Sequence, residues 1–177
     1  MLSRLPTTHI FGSIAGIDEQ FGFIHLLRGK EYIIEEKRFF TFGGGNSIDQ
    51  KFRDEGISYW KQELPTEIDI ENANKTIDKN NKYSYVLTHS APLSILRTML
   101  DAKCLDESIH HNKYFVIDNK TEEVLEELKE RLDFHKWIFG HYHVDCSLFG
   151  KFNGLYSGTY VKINLFSEEV LNFKKMS

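Results

Sequence analysis

Apolar and polar positions along this chain follow two periods, and the switches between them mark out the elements. From Glu31 to Phe42 the text EYIIEEKRFFTF holds two β-rich runs around Glu35-Glu36-Lys37 and predicts a hairpin. Ahead of it, Gly12, Gly16, Gly22 and Gly29 break the first thirty residues into short apolar stretches, a turn-rich start. Behind it stand Gly43, Gly44 and Gly45, and glycines directly after a strand suit a place where backbone approaches another group closely. A helical period begins at Pro65-Thr66. Thr66 can cap, Glu67 and Asp69 favour the positive end, and Ile70, Ala73 and Ile77 keep one face apolar through Asp78. Tyr83 to Leu87 reads as a strand ending at Thr88-His89, and Pro92 suits the first turn of a second helix. Residues 101–120 show neither period and read as an insertion. Thr121 is placed as the cap of the clearest helix, with Val124, Leu125, Leu128 and Leu132 on one face. Trp137-Ile138-Phe139 is a buried-type strand running into Gly140-His141-Tyr142-His143, and the short apolar pieces beyond it predict an antiparallel meander. The class is mixed α and β, written here as α/β.

Composition narrows the function. The 177 residues suit one domain, 1–177, and 41% hydrophobic with 27% charged residues is an ordinary globular balance. A net charge of −4 without a basic cluster argues against general nucleic-acid binding. No apolar run approaches the roughly 20 residues of a membrane span, and the first residues lack a secretory pattern. Cys104 and Cys146 have no close-spaced partner, which suits a reducing compartment, so a cytoplasmic protein is expected.

The candidate chemistry lies where two strands end. Leu87-Thr88-His89 and Phe139-Gly140-His141-Tyr142-His143 both carry an apolar strand directly into imidazoles. Ligands of open α/β sheets collect outside the carboxyl ends of strands, and neutral imidazole is the commonest protein metal ligand. His89, His141 and His143 are therefore the candidate metal ligands. His141 and His143 would share a side in an extended segment and diverge in a turn. Each has a plainer reading as a satisfied loop histidine. His9, His25, His110 and His111 receive only that reading, and His135 is placed as a cation at a helix end. Tyr59 and Trp60 are placed in the core, and Asp49 is paired with Arg53.

Phe42-Gly43-Gly44-Gly45-Asn46-Ser47-Ile48-Asp49, Arg53, Gly56, Ser58-Tyr59-Trp60 and Glu63-Leu64-Pro65 together resemble the middle of bacterial and phage calcineurin-like metallophosphoesterases. Thr88-His89-Ser90-Ala91-Pro92 is similar to that family's Thr-His-x-x-Pro motif, Gly140-His141-Tyr142-His143 to its Gly-His-x-His motif, and His25 to Gly29 to the stretch leading into the glycines. The resemblance implies a four-layer α-β-β-α sandwich, a phosphate-ester substrate and two divalent ions, Mn, Fe or Zn. By that pattern His89 and His141 bind one ion and His143 the other, and the ions activate water for attack on phosphorus.

Asp133-Phe134-His135 imitates the family's Asp-x-His but stands between a helix end and a strand and is rejected as a ligand pair. That motif does not occur in its N-terminal place, Gly-Asp-x-x-Asp and Gly-Asn-His do not occur at all, and Gly45-Asn46 is followed by Ser47. The expectation is thus a C-terminal portion whose N-terminal strands and helices, roughly 60 residues in two strand–helix units, are missing. Such a chain is expected to carry half of the site with no assigned catalytic residue of its own, to be inactive alone, and either to pair with a separate N-terminal piece or to be a poorly folding remnant. Two further readings stand beside it: a non-catalytic binding or structural remnant, and a mononuclear three-histidine metal protein.

Overall fold

The computed structural model describes residues 5–46, 53–105 and 120–156, together with the backbone of 159–163 and 170–175. The chain opens with three strands, β1 (Thr7–Ile10), β2 (Ser13–Asp18) and β3 (Phe23–Leu26), paired antiparallel in order. The glycine-punctuated start is therefore a meander; Phe11 and Gly12 in its first turn and Gly22 in its second take positive φ angles. The expected hairpin follows as β4 (Lys30–Ile34) and β5 (Lys37–Phe42), with Glu35 and Glu36 both at positive φ, as a two-residue turn matched to strand twist requires.

From β5 the sheet grows in parallel. Strand β6 (Lys82–Thr88) pairs with β5, β7 (Asp133–Phe139) with β6, and β9 (Phe152–Gly154) with β7. Strand β8 (Cys146–Leu148) closes one edge antiparallel to β9, giving the order β4-β5-β6-β7-β9-β8. The two crossovers carry α1 (Glu67–Lys79), α2 (Leu93–Asp101) and α3 (Lys120–Arg131). Strands β10 (Thr159–Ile163) and β11 (Val170–Lys175) form a separate antiparallel pair. The tail is thus two hairpins rather than one meander, because β9 joins β7 in parallel. The fold is mixed α/β around a six-stranded mixed sheet.

Alternation along the central strands divides the core. Phe40, Phe42, Val86, Trp137 and Phe139 pack with Ala73, Ile77, Leu96, Met99 and Leu125 of the helices. Phe39, Tyr85, Leu87 and Ile138 face the other way, onto Ala15, Ile10 and Leu26 of the meander. The large sheet therefore lies between a helical layer and a small second sheet. Trp137 is fully buried at the centre of the helical side, packs edge-on against Phe134, and donates its indole N–H to Thr88 Oγ1 at 2.8 Å. Among the described residues no helix is long and apolar enough to cross a membrane.

Helix α1 starts as its sequence predicts: the Thr66 hydroxyl accepts from the Asp69 N–H at 3.2 Å while the Asp69 carboxylate accepts from the Thr66 N–H at 2.8 Å. Thr121, in contrast, is no cap. It lies within α3, buried, and its hydroxyl has no hydrogen-bond partner. His135 is no helix-end cation either; it belongs to β7, a strand that starts two residues before it, and meets the Tyr85 ring edge-on. Trp60 is 46% exposed and Tyr59 half-buried, so neither belongs to the core. Asp49, His110, His111 and most of 101–120 lie outside the described residues.

Gly29 joins the two-sheet stack to α1. It holds φ +65° at the entry to β4, its carbonyl accepts from Thr76 Oγ1 at 2.7 Å, and a Cβ there would stand 2.6 Å from the Ala73 backbone nitrogen. Gly29→Ala is expected to cost roughly 2 kcal/mol or more, from left-handed strain and backbone overlap. Urea unfolding checks this: the midpoint falls at unchanged slope, whereas an unmoved midpoint would mean the helix shifts away freely.

Candidate metal centre

Parallel pairing brings four strand ends to one edge. Phe42 lies opposite Thr88, Leu87 opposite Ile138, and Phe139 opposite Gly154. The segments that follow, Gly43–Gly45, His89–Ala91, Gly140–His143 and Leu155–Tyr156, are consequently neighbours. Backbone hydrogen bonds continue the ladder past the strands, with Gly140 N–H donating to His89 C=O at 2.9 Å and Leu155 N–H to Phe139 C=O at 2.8 Å. The turn at His89 is fixed from below. Thr88 Oγ1, which accepts from Trp137, donates to Ser90 C=O at 2.6 Å.

After β7 the chain turns sharply, and both candidate histidines take left-handed backbone, His141 at φ 72° and His143 at φ 55°. Left-handed geometry at a non-glycine residue costs roughly 1–2 kcal/mol and persists only where surroundings over-determine it. Tyr142, between them, supplies that constraint. Its ring is buried, and its hydroxyl donates to Glu122 Oε1 at 3.0 Å while accepting from the Ala91 N–H at 3.2 Å. Burial first, then the Glu122 carboxylate, raises this phenol well above the ordinary tyrosine value, so it stays a donor. The Ser90 hydroxyl is buried without a hydrogen bond of good geometry, although it lies close enough to the Tyr142 hydroxyl to ease that shift.

The turn sends the two imidazoles apart. His141 meets His89, with Nδ1 of the first 3.1 Å from Nε2 of the second. His143 lies against the Tyr156 ring at 5.0 Å between centroids, within electrostatic range of His89. Of the three predicted ligands, two are thus in contact, and the third meets Tyr156 within electrostatic range of His89. Two imidazole nitrogens sharing one ion, each at about 2.0–2.1 Å with an angle between square and tetrahedral, stand roughly 2.9–3.4 Å apart. The observed pair falls in that interval. A direct N–H···N hydrogen bond is satisfied by the same separation.

The glycine loop closes on this pair, a contact the sequence analysis left open. A Cβ on Gly45 would stand 2.6 Å from Ser90 Oγ, 3.0 Å from His89 Cδ2 and 3.3 Å from His141 Cε1. Gly44, at φ +113°, passes equally close to the Glu63 carbonyl. Arg28 fastens the far side, donating to the carbonyls of Gln62, Glu63 and Leu64 at 2.9 Å each and pairing with Asp69 at 3.3 Å. Gly45, Glu63 and Tyr142 are the neighbours of the site that residue-type reasoning missed. The triple glycine behind a strand was the available signal for the first; nothing local marked the other two.

His89 stays exposed to solvent at one side, yet desolvation by its neighbours is the largest influence on the ring and lowers its pKa below 6.5; Glu63 opposes the shift, while His143 and Arg28 add to it. The lowered value favours the neutral imidazole, the form that binds a metal. Among the described residues no group of three or more His, Cys, Asp or Glu gathers in a metal-holding arrangement. Any ion held at this pair would take its remaining ligands from water, a substrate or residues outside this cluster.

Comparison of the chain with protein-family models, with curated proteins and with solved structures finds no match.

The His89 shift fixes the sign of a pH effect. The unfolded chain takes up this proton from about pH 6.5 downward, ahead of the folded chain, so His89 lowers stability as pH falls below 6.5 and ceases to add slope below its folded value. His25, also lowered by burial, acts in the same direction. His89→Gln is expected to flatten the acid limb, read as the difference in urea midpoint between pH 7.5 and 5.5; an unchanged limb would show the ring takes up its proton freely.

Proposed function

We propose that this chain contributes imidazole ligands to a divalent-metal phosphoesterase centre, His89 and His141 to one ion and His143 to a second. The observation that carries the reading is the 3.1 Å contact between His141 Nδ1 and His89 Nε2 at the carboxyl ends of adjacent parallel strands. Three features support it. The left-handed backbone at both His141 and His143 is held by the buried Tyr142 between them, which fixes the turn that presents the two rings. Gly45 keeps the space beside both rings free of a side chain. The order of layers, helices on one face of a sheet and a second sheet on the other, is read as three of the four layers of an α-β-β-α sandwich.

A loaded centre of this kind lowers the pKa of water and draws charge from phosphoryl oxygens, the chemistry that phosphate-ester hydrolysis needs. The chain's own part is to present neutral imidazoles at fixed spacing. Desolvation favours the neutral His89 ring, the Gly140 N–H holds the His89 carbonyl, and the buried Tyr142 anchors the turn that carries His141 and His143. Mn, Fe or Zn suits imidazole with carboxylate and water. With no group of three or more such ligands gathered among the described residues, the chain by itself is expected to bind a single ion and to hydrolyse phosphate esters slowly at most.

A second reading draws on the same contact. One ring nitrogen donating to the other satisfies both imidazoles, so the pair can serve as a structural tie in a non-catalytic binding module.

Calorimetric titration of the chelator-stripped chain with Zn or Mn separates the two. One ion per chain is expected, with affinity at least tenfold weaker in His89→Ala and in His141→Ala, and little turnover of bis-p-nitrophenyl phosphate. No binding by the unaltered chain, or binding indifferent to both substitutions, would refute the metal reading and leave the structural tie.

A further inference from the structure

The Gly140 N–H to His89 C=O hydrogen bond joins the loops after β6 and β7 at one point, and one point leaves a hinge. A second tie fixes their orientation, and a single oxygen provides it. The Tyr142 hydroxyl accepts at 3.2 Å from Ala91, two residues beyond His89, and donates at 3.0 Å to Glu122 in the first turn of α3. All three partners are buried, with Ala91, Tyr142 and Glu122 at 0%, 3% and 4% exposure. Burying a carboxylate and a phenol is unfavourable unless each meets a partner, and a phenylalanine would fill the ring's volume without a polar group to satisfy. The ring also packs edge-on against His141, 4.9 Å between centroids at 81°, so motion of Tyr142 carries the imidazole with it. Both neighbours of Tyr142 are held in left-handed backbone. Freed from its anchor, the turn would relax, and the distance from His141 to His89 would no longer be set.

We propose that the Tyr142 hydroxyl, clasped between Glu122 and the Ala91 N–H, is a positioning group that sets the spacing of the His89 and His141 imidazoles and thereby their affinity for a metal ion. The inference rests on the metal-binding reading above. Groups that orient a ligand from outside the coordination sphere commonly change metal affinity 10–100-fold, and here one such group acts on two ligand loops at once.

The test is Zn affinity of the full chain, measured by competition with a chromogenic chelator, alongside the visible spectrum of the Co-loaded form. Tyr142→Phe is expected to bind Zn roughly 10–100-fold more weakly and to shift the Co bands while keeping its far-ultraviolet circular dichroism. Glu122→Gln, whose amide oxygen still accepts from the phenol, should stay within about threefold of the unaltered chain. Tyr142→Phe within twofold of the unaltered chain, in a series where His89→Ala has lost affinity, would overturn the positioning role and spare the metal site. No Zn binding by the unaltered chain would overturn both. Should Tyr142→Phe fail to fold, Glu122→Leu removes the acceptor at similar volume, and its affinity, expected to fall by the same factor, decides in its place.

Discussion

A strand paired in parallel delivers its chain to the same edge as its neighbour, and the arrangement at the histidines follows from that constraint. Four consecutive strands, β5, β6, β7 and β9, obey it, so the loops after Phe42, Thr88, Phe139 and Gly154 have nowhere to go but beside one another. The sheet can hold this register because both faces are covered, by helices on one side and the N-terminal meander on the other. Trp137 links that core to the site, since its buried indole donates to the Thr88 hydroxyl, which in turn holds the turn bearing His89. Packing and site geometry are thus connected through one side chain.

At the edge itself, close approach and strain act together. The glycine loop comes within contact of two imidazoles, and a Cβ at position 45 would push on the Ser90 hydroxyl and on both rings. The turn after β7 places two histidines in a conformation that side chains disfavour, and the buried Tyr142 with its carboxylate partner offsets that cost. The strain, the missing Cβ and the buried carboxylate lie within one small region.

Much of the scaffold was legible in the sequence because the periodicities are strong. The hairpin around Glu35-Glu36, the Thr66 cap, the strand into His89 and the strand into Gly140 can all be read from local pattern. The failures share a cause. Thr121 has a capping side chain but sits inside α3, and Trp60 has an apolar ring yet lies 46% exposed, because burial is decided by contacts that residue type does not encode. The three N-terminal strands were hidden by their glycines, which read as turns although Gly16 lies within β2. At the site, imidazoles at strand ends were readable from type and position, and they do converge in part. The divergence of His143 toward Tyr156 depends on positive φ angles that no local pattern announces. Glu122 and Tyr142 are twenty residues apart and meet only through the tertiary fold.

The central claim is that His89 and His141 stand at the spacing of two ligands to one ion. X-ray absorption at the zinc edge of the Zn-loaded chain tests it most directly. The account predicts a shell containing two imidazoles at about 2.0 Å, reduced to one when His89 is replaced by alanine. A shell of oxygen alone, or an imidazole count unmoved by that replacement, would contradict it.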